Sequence, residues 1–215
     1  IIQDERGEHK WTLTDDSAAR AAETVPDAKI VITLRDPVKR LQSQFWKNVW
    51  QGRETVSSVE QALEEEMAGK REPESTGFCW LYKNSYMKHV ARWLEFFAPS
   101  DVLILIFEEW TEAPYAGIGD LEGFLGLKNG SLLATGVPRT NEGRELRHPA
   151  LRVVSGLGDR FKILRSVVNR AGTRKGYPSL SRDAEARLYE HFRSDIEGIE
   201  KLVGRRIPAW RPDGF

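Results

Sequence analysis

The chain has 215 residues, 32 Lys+Arg against 32 Asp+Glu, and a mean hydropathy of -0.48. That length buries a core as one domain, or as one domain with a large insertion, and the balanced charge names no partner. A single cysteine, Cys79, excludes an internal disulfide framework, and no apolar run of ~18 residues is present to span a membrane in the sequence as it stands.

In chain order, IIQDERGEHKW opens without a methionine, so a preceding segment is expected. Residues 16–24, DSAARAAET, are good helix formers that stop before Pro26. KIVITL (29–34) is short, apolar and rich in β-branched residues, which predicts a strand buried on both faces of a parallel sheet. Helical segments follow at about 37–50 and 56–68, joined by a turn at QGRET. Cys79, between Phe78 and Trp80, reads as core filler. Residues 82–97 place Tyr86, Val90, Trp93, Leu94 and Phe97 at helical spacing, which predicts one helix ended by Ala-Pro-Ser. VLILIF (102–107) is the second buried strand, and YAGIGDLEGFLGL a helix with a glycine-rich end. Residues 128–147 are polar and loop-like.

From Arg160 to Lys175 the chain carries six basic residues and no acid, and FKILRSVVNR within it reads as a basic helix. AGTRKGYPSLS (171–181) has the glycines, basic residues and hydroxyls of an anion-cradling loop. Ser181 is placed to cap a last helix, with Ala184, Leu188, Phe192, Ile196, Ile199 and Leu202 as one apolar stripe. Helices alternating with buried strands predict an α/β fold. A parallel sheet usually has more than two strands, a second reason to expect a missing N-terminal piece.

The strongest chemical feature is LRDPVKRLQSQF (34–45). Arg35 falls at the carboxyl end of a parallel strand, where α/β sheets place ligands. Asp36 and Pro37 suit the start of a helix that carries Ser43 about two turns in. A guanidinium can grip a phosphate through two parallel hydrogen bonds, and a hydroxyl can add a third. An Arg35–Asp36 surface pair with an ordinary polar Ser43 is the competing reading.

IVITLRDPVKRLQSQF resembles the 3′-phosphate-binding signature of sulfotransferases that use 3′-phosphoadenosine 5′-phosphosulfate (PAPS): strand, Arg, Asp-Pro, then Ser eight residues after the Arg. YKNSYMKHVARWLEFFAPSDVLILIFEEW resembles the family's Tyr…Trp-Leu helix and the strand after it, which ends in Phe-Glu. FLGL follows in order, and KGYPSLSRDAEARLYEHFRSDIEGIEKLVGRRIPAW resembles the C-terminal Lys-Gly-x-x-Pro loop, its helix and the closing Trp. The resemblance covers about residues 5–212 and is nearest to bacterial and heparan-sulfate-type members.

The resemblance implies an α/β, P-loop-kinase-like fold with a central parallel sheet flanked by helices, residues 1–215 being a single domain, N-terminally incomplete relative to the family. It implies transfer of a sulfuryl group from PAPS to a hydroxyl or amine of a carbohydrate or small molecule, with no metal. Arg35 and Ser43 would bind the 3′-phosphate, and Arg174, Lys175 and Gly176 would close over the same nucleotide end. Partners would be the nucleotide and an acceptor, a glycan among the candidates, with no nucleic acid. The cytoplasm is expected of a bacterial member, while the missing N-terminus leaves the Golgi lumen open.

The family's 5′-phosphosulfate loop has no counterpart in the 34 residues before Arg35, and the catalytic base is not legible. GEHKWTLT resembles the family's Glu-Lys-(Thr/Ser)-x-x-Tyr segment near the acceptor, which makes His9 and Lys10, either in the Lys position, the catalytic candidates. Trp46 and Trp50, one helical turn apart, are acceptor-side candidates, while Trp93 and Trp210 read as core. AGTRKGYPSLS is not the displaced phosphosulfate loop, because a basic helix rather than a buried strand precedes it. A nucleotide kinase is disfavoured because no G-x-x-x-x-G-K-[ST] occurs. The alternative function is a non-catalytic module that holds a nucleotide or sulfated ligand.

Overall fold

A computed structural model describes residues 17–50, 53–56, 58–71, 79–132, 144–146, 173–175 and 178–211; for Trp50, 144–146 and 173–175 the backbone alone is described. The described residues fall into two compact units. One draws on Ile1–Pro37, Ser85–Pro138 and Phe192–Phe215, the other on Val38–Asn84 and Arg139–His191.

The first unit is built on two strands, β1 (Ile30–Leu34) and β2 (Val102–Ile106), paired in parallel from Ile30↔Val102 to Leu34↔Ile106. Helix α1 (Ser17–Thr24) leads into β1. The strands are those the apolar runs predict, but only Ile32, Leu34, Leu105 and Ile106 are buried, so burial is concentrated at the carboxyl ends. A neighbouring strand or helix covers a strand face only where it packs, and Thr33 is exposed. Phe107, expected as the last residue of the strand, instead begins a short helix α6 (Phe107–Glu112).

The helix predicted over 82–97 is two helices. Helix α4 (Trp80–Asn84) ends before Ser85, and α5 (Tyr86–Leu94) starts afresh. The break has a tertiary cause: the Asp195 carboxylate accepts the N–H groups of Tyr86 at 2.6 Å and Met87 at 2.8 Å, capping α5 from a remote part of the chain. Tyr86, Val90, Trp93 and Phe97 bury the face that helical spacing assigns to them. Helix α7 (Pro114–Leu125) closes in a left-handed Gly126, φ 69°, whose amide reaches back to the last turn. Buried Glu122 then accepts the N–H of Gly130 at 2.7 Å and of Leu132 at 2.6 Å and folds the following turns over the helix end.

In the second unit, α2 (Pro37–Trp50) buries Val38, Leu41, Phe45 and Val49 at the i, i+3, i+4 spacing that marks a core-facing helix. Ser58 caps α3 (Val59–Met67) by accepting the Gln61 N–H at 3.1 Å. Glu66, at the end of α3, accepts the N–H groups of Trp80, Leu81 and Tyr82 and so holds the start of α4. Cys79 and Trp80 are fully buried, as core filling requires. Phe45 meets the Trp80 ring edge-on at 5.9 Å. Arg71 bridges Glu54 at 2.8 Å and Glu65 at 2.6 Å.

Residues 173–175, inside the stretch expected to be a loop, form strand β4 (Thr173–Lys175), antiparallel to β3 (Arg144–Leu146), itself inside the segment expected to be loop-like. Two three-residue strands so far apart in sequence leave no local alternation to detect. The last helix is α8 (Arg182–Val203), which Ser181 caps by accepting the Ala184 N–H at 3.2 Å. Its apolar stripe is buried through Ile199, but Leu202 is exposed. Gly204, φ 71°, turns the chain back, so Ile207 and Trp210 are buried beyond the helix end. Among the described residues no helix is long and apolar enough to cross a membrane, and no cluster of His, Cys, Asp or Glu could hold a metal ion.

Candidate functional site

The parallel register sets the geometry. Leu34 and Ile106 are partners, so the residues that leave the two strands, Arg35–Asp36 and Phe107–Glu108, emerge side by side at the carboxyl end of the pair. The peptide group joining Arg35 to Asp36 has both polar atoms taken by side chains. Its carbonyl accepts the Tyr86 hydroxyl at 2.7 Å, and its N–H donates to Glu108 at 3.1 Å to Oε1 and 3.3 Å to Oε2. Asp36 itself is fully buried.

The Arg35 guanidinium lies 5.3 Å from the centroid of the Phe107 ring, within cation–π range. Its Nε is 4.0 Å from Glu108 Oε1, and that nitrogen is buried without a hydrogen-bond partner. The side chain as a whole is 36% exposed. The arrangement is therefore an arginine held at its backbone, with its Nε buried on the Glu108 side and its side chain otherwise partly exposed.

Glu108 is the hub of this arrangement. Besides the Asp36 N–H it accepts Trp210 Nε1–H at 2.9 Å, and Trp210 also meets the Tyr86 ring at 5.8 Å. The segment that delivers Trp210 is tied down by buried Glu200, which accepts the Ile207 N–H at 2.8 Å, Arg211 Nε at 3.1 Å and Arg211 Nη2 at 2.7 Å. The Arg211 hydrogen bonds, aided by the Ile207 N–H, hold the Glu200 carboxyl below the ordinary glutamate value and outweigh its partial burial.

In the second unit, Ser43 is half-buried on α2. Its neighbour Gln42 donates from Nε2 to the carbonyl of Pro178 at 2.6 Å. That bond ties the helix carrying Ser43 to the segment that follows Lys175 and Gly176. Trp46, on the same helix, meets Phe45 edge-on at 5.1 Å, and its indole Nε1–H is buried without a hydrogen-bond partner. Trp93 and Trp210 are buried in the first unit, as expected of core residues.

Among the predicted site residues, then, Arg35 stands at the strand end and Ser43 on α2. His9, Lys10 and Gly176 lie outside the described residues, as do the side chains of Trp50, Arg174 and Lys175 and the expected basic helix FKILRSVVNR. Sequence reasoning missed Glu108 and Gln42 and took Tyr86 and Trp210 for packing alone. The Phe-Glu pair closing the second strand was the available signal for Glu108, and nothing in the local pattern marks Gln42.

A family model described as "Sulfotransferase domain" matches residues 17–137, more than half of the chain. Human bifunctional heparan sulfate N-deacetylase/N-sulfotransferase 3 is 26% identical over 207 residues, covering 92% of this chain and 22% of that protein. Human heparan sulfate glucosamine 3-O-sulfotransferase 3B1 is 25% identical over 118 residues, covering 55% of this chain and 30% of that protein. The chain thus spans about a fifth to a third of the length of these relatives. Among solved structures, a sulfotransferase from Alicyclobacillus acidocaldarius shares the fold with a TM-score of 0.66 at 24% identity, covering 94% of this chain and 65% of that one.

Proposed function

The chain belongs to the sulfotransferase domain family, and from that premise we propose that it transfers a sulfuryl group from PAPS to a hydroxyl or amine of an acceptor. The fold is the expected α/β, P-loop-like one, shared with the bacterial sulfotransferase. Residues 1–215 serve as one domain in this reading, since the family match draws on parts of both packing units.

The observation that carries the reading is Arg35. A partly exposed guanidinium at the carboxyl end of a parallel strand, with its terminal nitrogens left for a ligand, fits an oxyanion. Arg35 and Ser43 bind the 3′-phosphate; Ser43 enters by its place in the Arg-Asp-Pro…Ser motif, and Arg174, Lys175 and Gly176 by theirs in the Lys-Gly-x-x-Pro motif. The Gln42–Pro178 bond supports the second group, because it holds the Ser43 helix against that motif's own proline.

When bound, PAPS supplies the sulfuryl group and leaves as 3′-phosphoadenosine 5′-phosphate (PAP). What these residues contribute is binding and orientation of the nucleotide, which in-line group transfer depends on. The names of the heparan sulfate relatives support a carbohydrate as acceptor, and Trp46 and Trp50, one helical turn apart on α2, stand on the acceptor side in this reading by their place beyond Ser43.

Calorimetric titration of the chain with PAP, beside Arg35→Ala, tests the reading. Binding by the parent and a loss of at least tenfold in the variant are expected. No binding by the parent overturns it. Binding with no sulfuryl transfer to any acceptor replaces the enzyme with a nucleotide-binding module.

A further inference from the structure

We propose that Glu108 is a positioning residue for Arg35: it sets which edge of the guanidinium is presented to the nucleotide's 3′-phosphate. The inference deepens the function proposed above and rests on it.

Glu108 meets the Arg35 segment at two points. Its carboxylate accepts the N–H of Asp36, which orients the peptide carrying Arg35, and its Oε1 faces Arg35 Nε at 4.0 Å. The Nε edge of the guanidinium is thereby turned toward a carboxylate and buried. Phe107 fixes the face of the same group. One face and one edge being occupied, the terminal nitrogens are left for a bidentate contact with an oxyanion.

Glu108 is in turn held rigidly. Trp210 donates to its Oε2, and Trp210 is fully buried. The Glu108 side chain is only 13% exposed, so its carboxylate is packed among these partners and not spread into solvent.

The sign of the effect separates positioning from simple electrostatics. A carboxylate beside an anion-binding arginine opposes the anion. On charge alone, neutralising Glu108 would tighten binding of a phosphate. Weaker binding on neutralisation therefore reports lost orientation.

The test compares the full chain with Glu108→Gln, Arg35→Ala and the double variant, each titrated with PAP and with adenosine 5′-monophosphate, which lacks the 3′-phosphate. The parent is expected to prefer PAP. Glu108→Gln is expected to weaken PAP about tenfold while leaving the monophosphate within about twofold, and to change nothing further in the Arg35→Ala background. Unchanged or tighter PAP binding in Glu108→Gln overturns the proposal. So does an equal loss for both ligands, or a loss that persists without Arg35, since either marks a merely structural role. A parent that binds both ligands equally overturns the 3′-phosphate reading of Arg35 and the proposal with it. Should Glu108→Gln fail to fold, Trp210→Phe removes one of the two donors that hold Glu108 and keeps an aromatic ring. It is expected to weaken PAP several-fold and not the monophosphate, and an unchanged PAP affinity overturns the proposal in the same way.

Discussion

Tyr86 donates its hydroxyl to the main-chain carbonyl of Arg35 at 2.7 Å, so a residue at the start of α5 holds the arginine at the end of β1. The ring is buried and the bond joins two segments that only the fold brings together. Tyr86→Phe keeps the ring and removes the bond. The expected cost is about 1 kcal/mol, read as a fall of about 2–4 °C in the unfolding midpoint, with PAP affinity down several-fold.

Arg35→Lys tests geometry against charge. Lysine retains the positive charge but presents a single ammonium where the guanidinium offers a planar fork. PAP affinity is expected to fall at least tenfold, nearly as far as in Arg35→Ala, with adenosine 5′-monophosphate unaffected. Lysine binding PAP as well as arginine would mean that point charge is enough.

Gly198 faces Met87 across α8 and α5. A Cβ at position 198 would sit 2.6 Å from Met87 Cγ and 2.8 Å from Sδ. Methionine is flexible, so Gly198→Ala is expected to destabilise by about 1–2 kcal/mol rather than prevent folding, offsetting the better helix propensity of alanine. Adding Met87→Ala to Gly198→Ala should recover part of the loss, measured by urea denaturation of the single and double variants.

Acid stability is expected to depend on Glu200. Its carboxyl is held below the ordinary glutamate value chiefly by the Arg211 hydrogen bonds. A group whose folded value is depressed stabilises the protein above its unfolded value, and that contribution is lost as pH falls through the folded value. Glu200→Gln should therefore be less stable than the parent at neutral pH, and the gap should close in acid below the ordinary glutamate range. Denaturant midpoints across that range check the prediction. A gap that stays constant with pH would show that the carboxylate charge contributes nothing.

Much of the fold was legible because it is local. β-branched apolar runs mark β1 and β2, and helical spacing marks the buried face of α2, α5 and α8. The place of Arg35 was legible because a polar residue directly after a buried strand has one place to go, the carboxyl end of the sheet. The division of 82–97 into α4 and α5 was not legible, because it depends on Asp195, which lies far along the chain. Nor was the pairing of Thr173–Lys175 with Arg144–Leu146, where each strand is too short to carry a pattern of its own.

The sequence by itself determined the class, the two strands and the arginine with the strand-end motif around it, since period and turn chemistry are written in neighbouring residues. Only the tertiary structure decided what holds that arginine. Tyr86, Glu108 and Trp210 each look like ordinary packing or surface residues where they stand in the chain. They become one assembly because two parallel strands end level and two other segments close over them, and hydrogen bonds between residues so far apart leave no trace in local spacing.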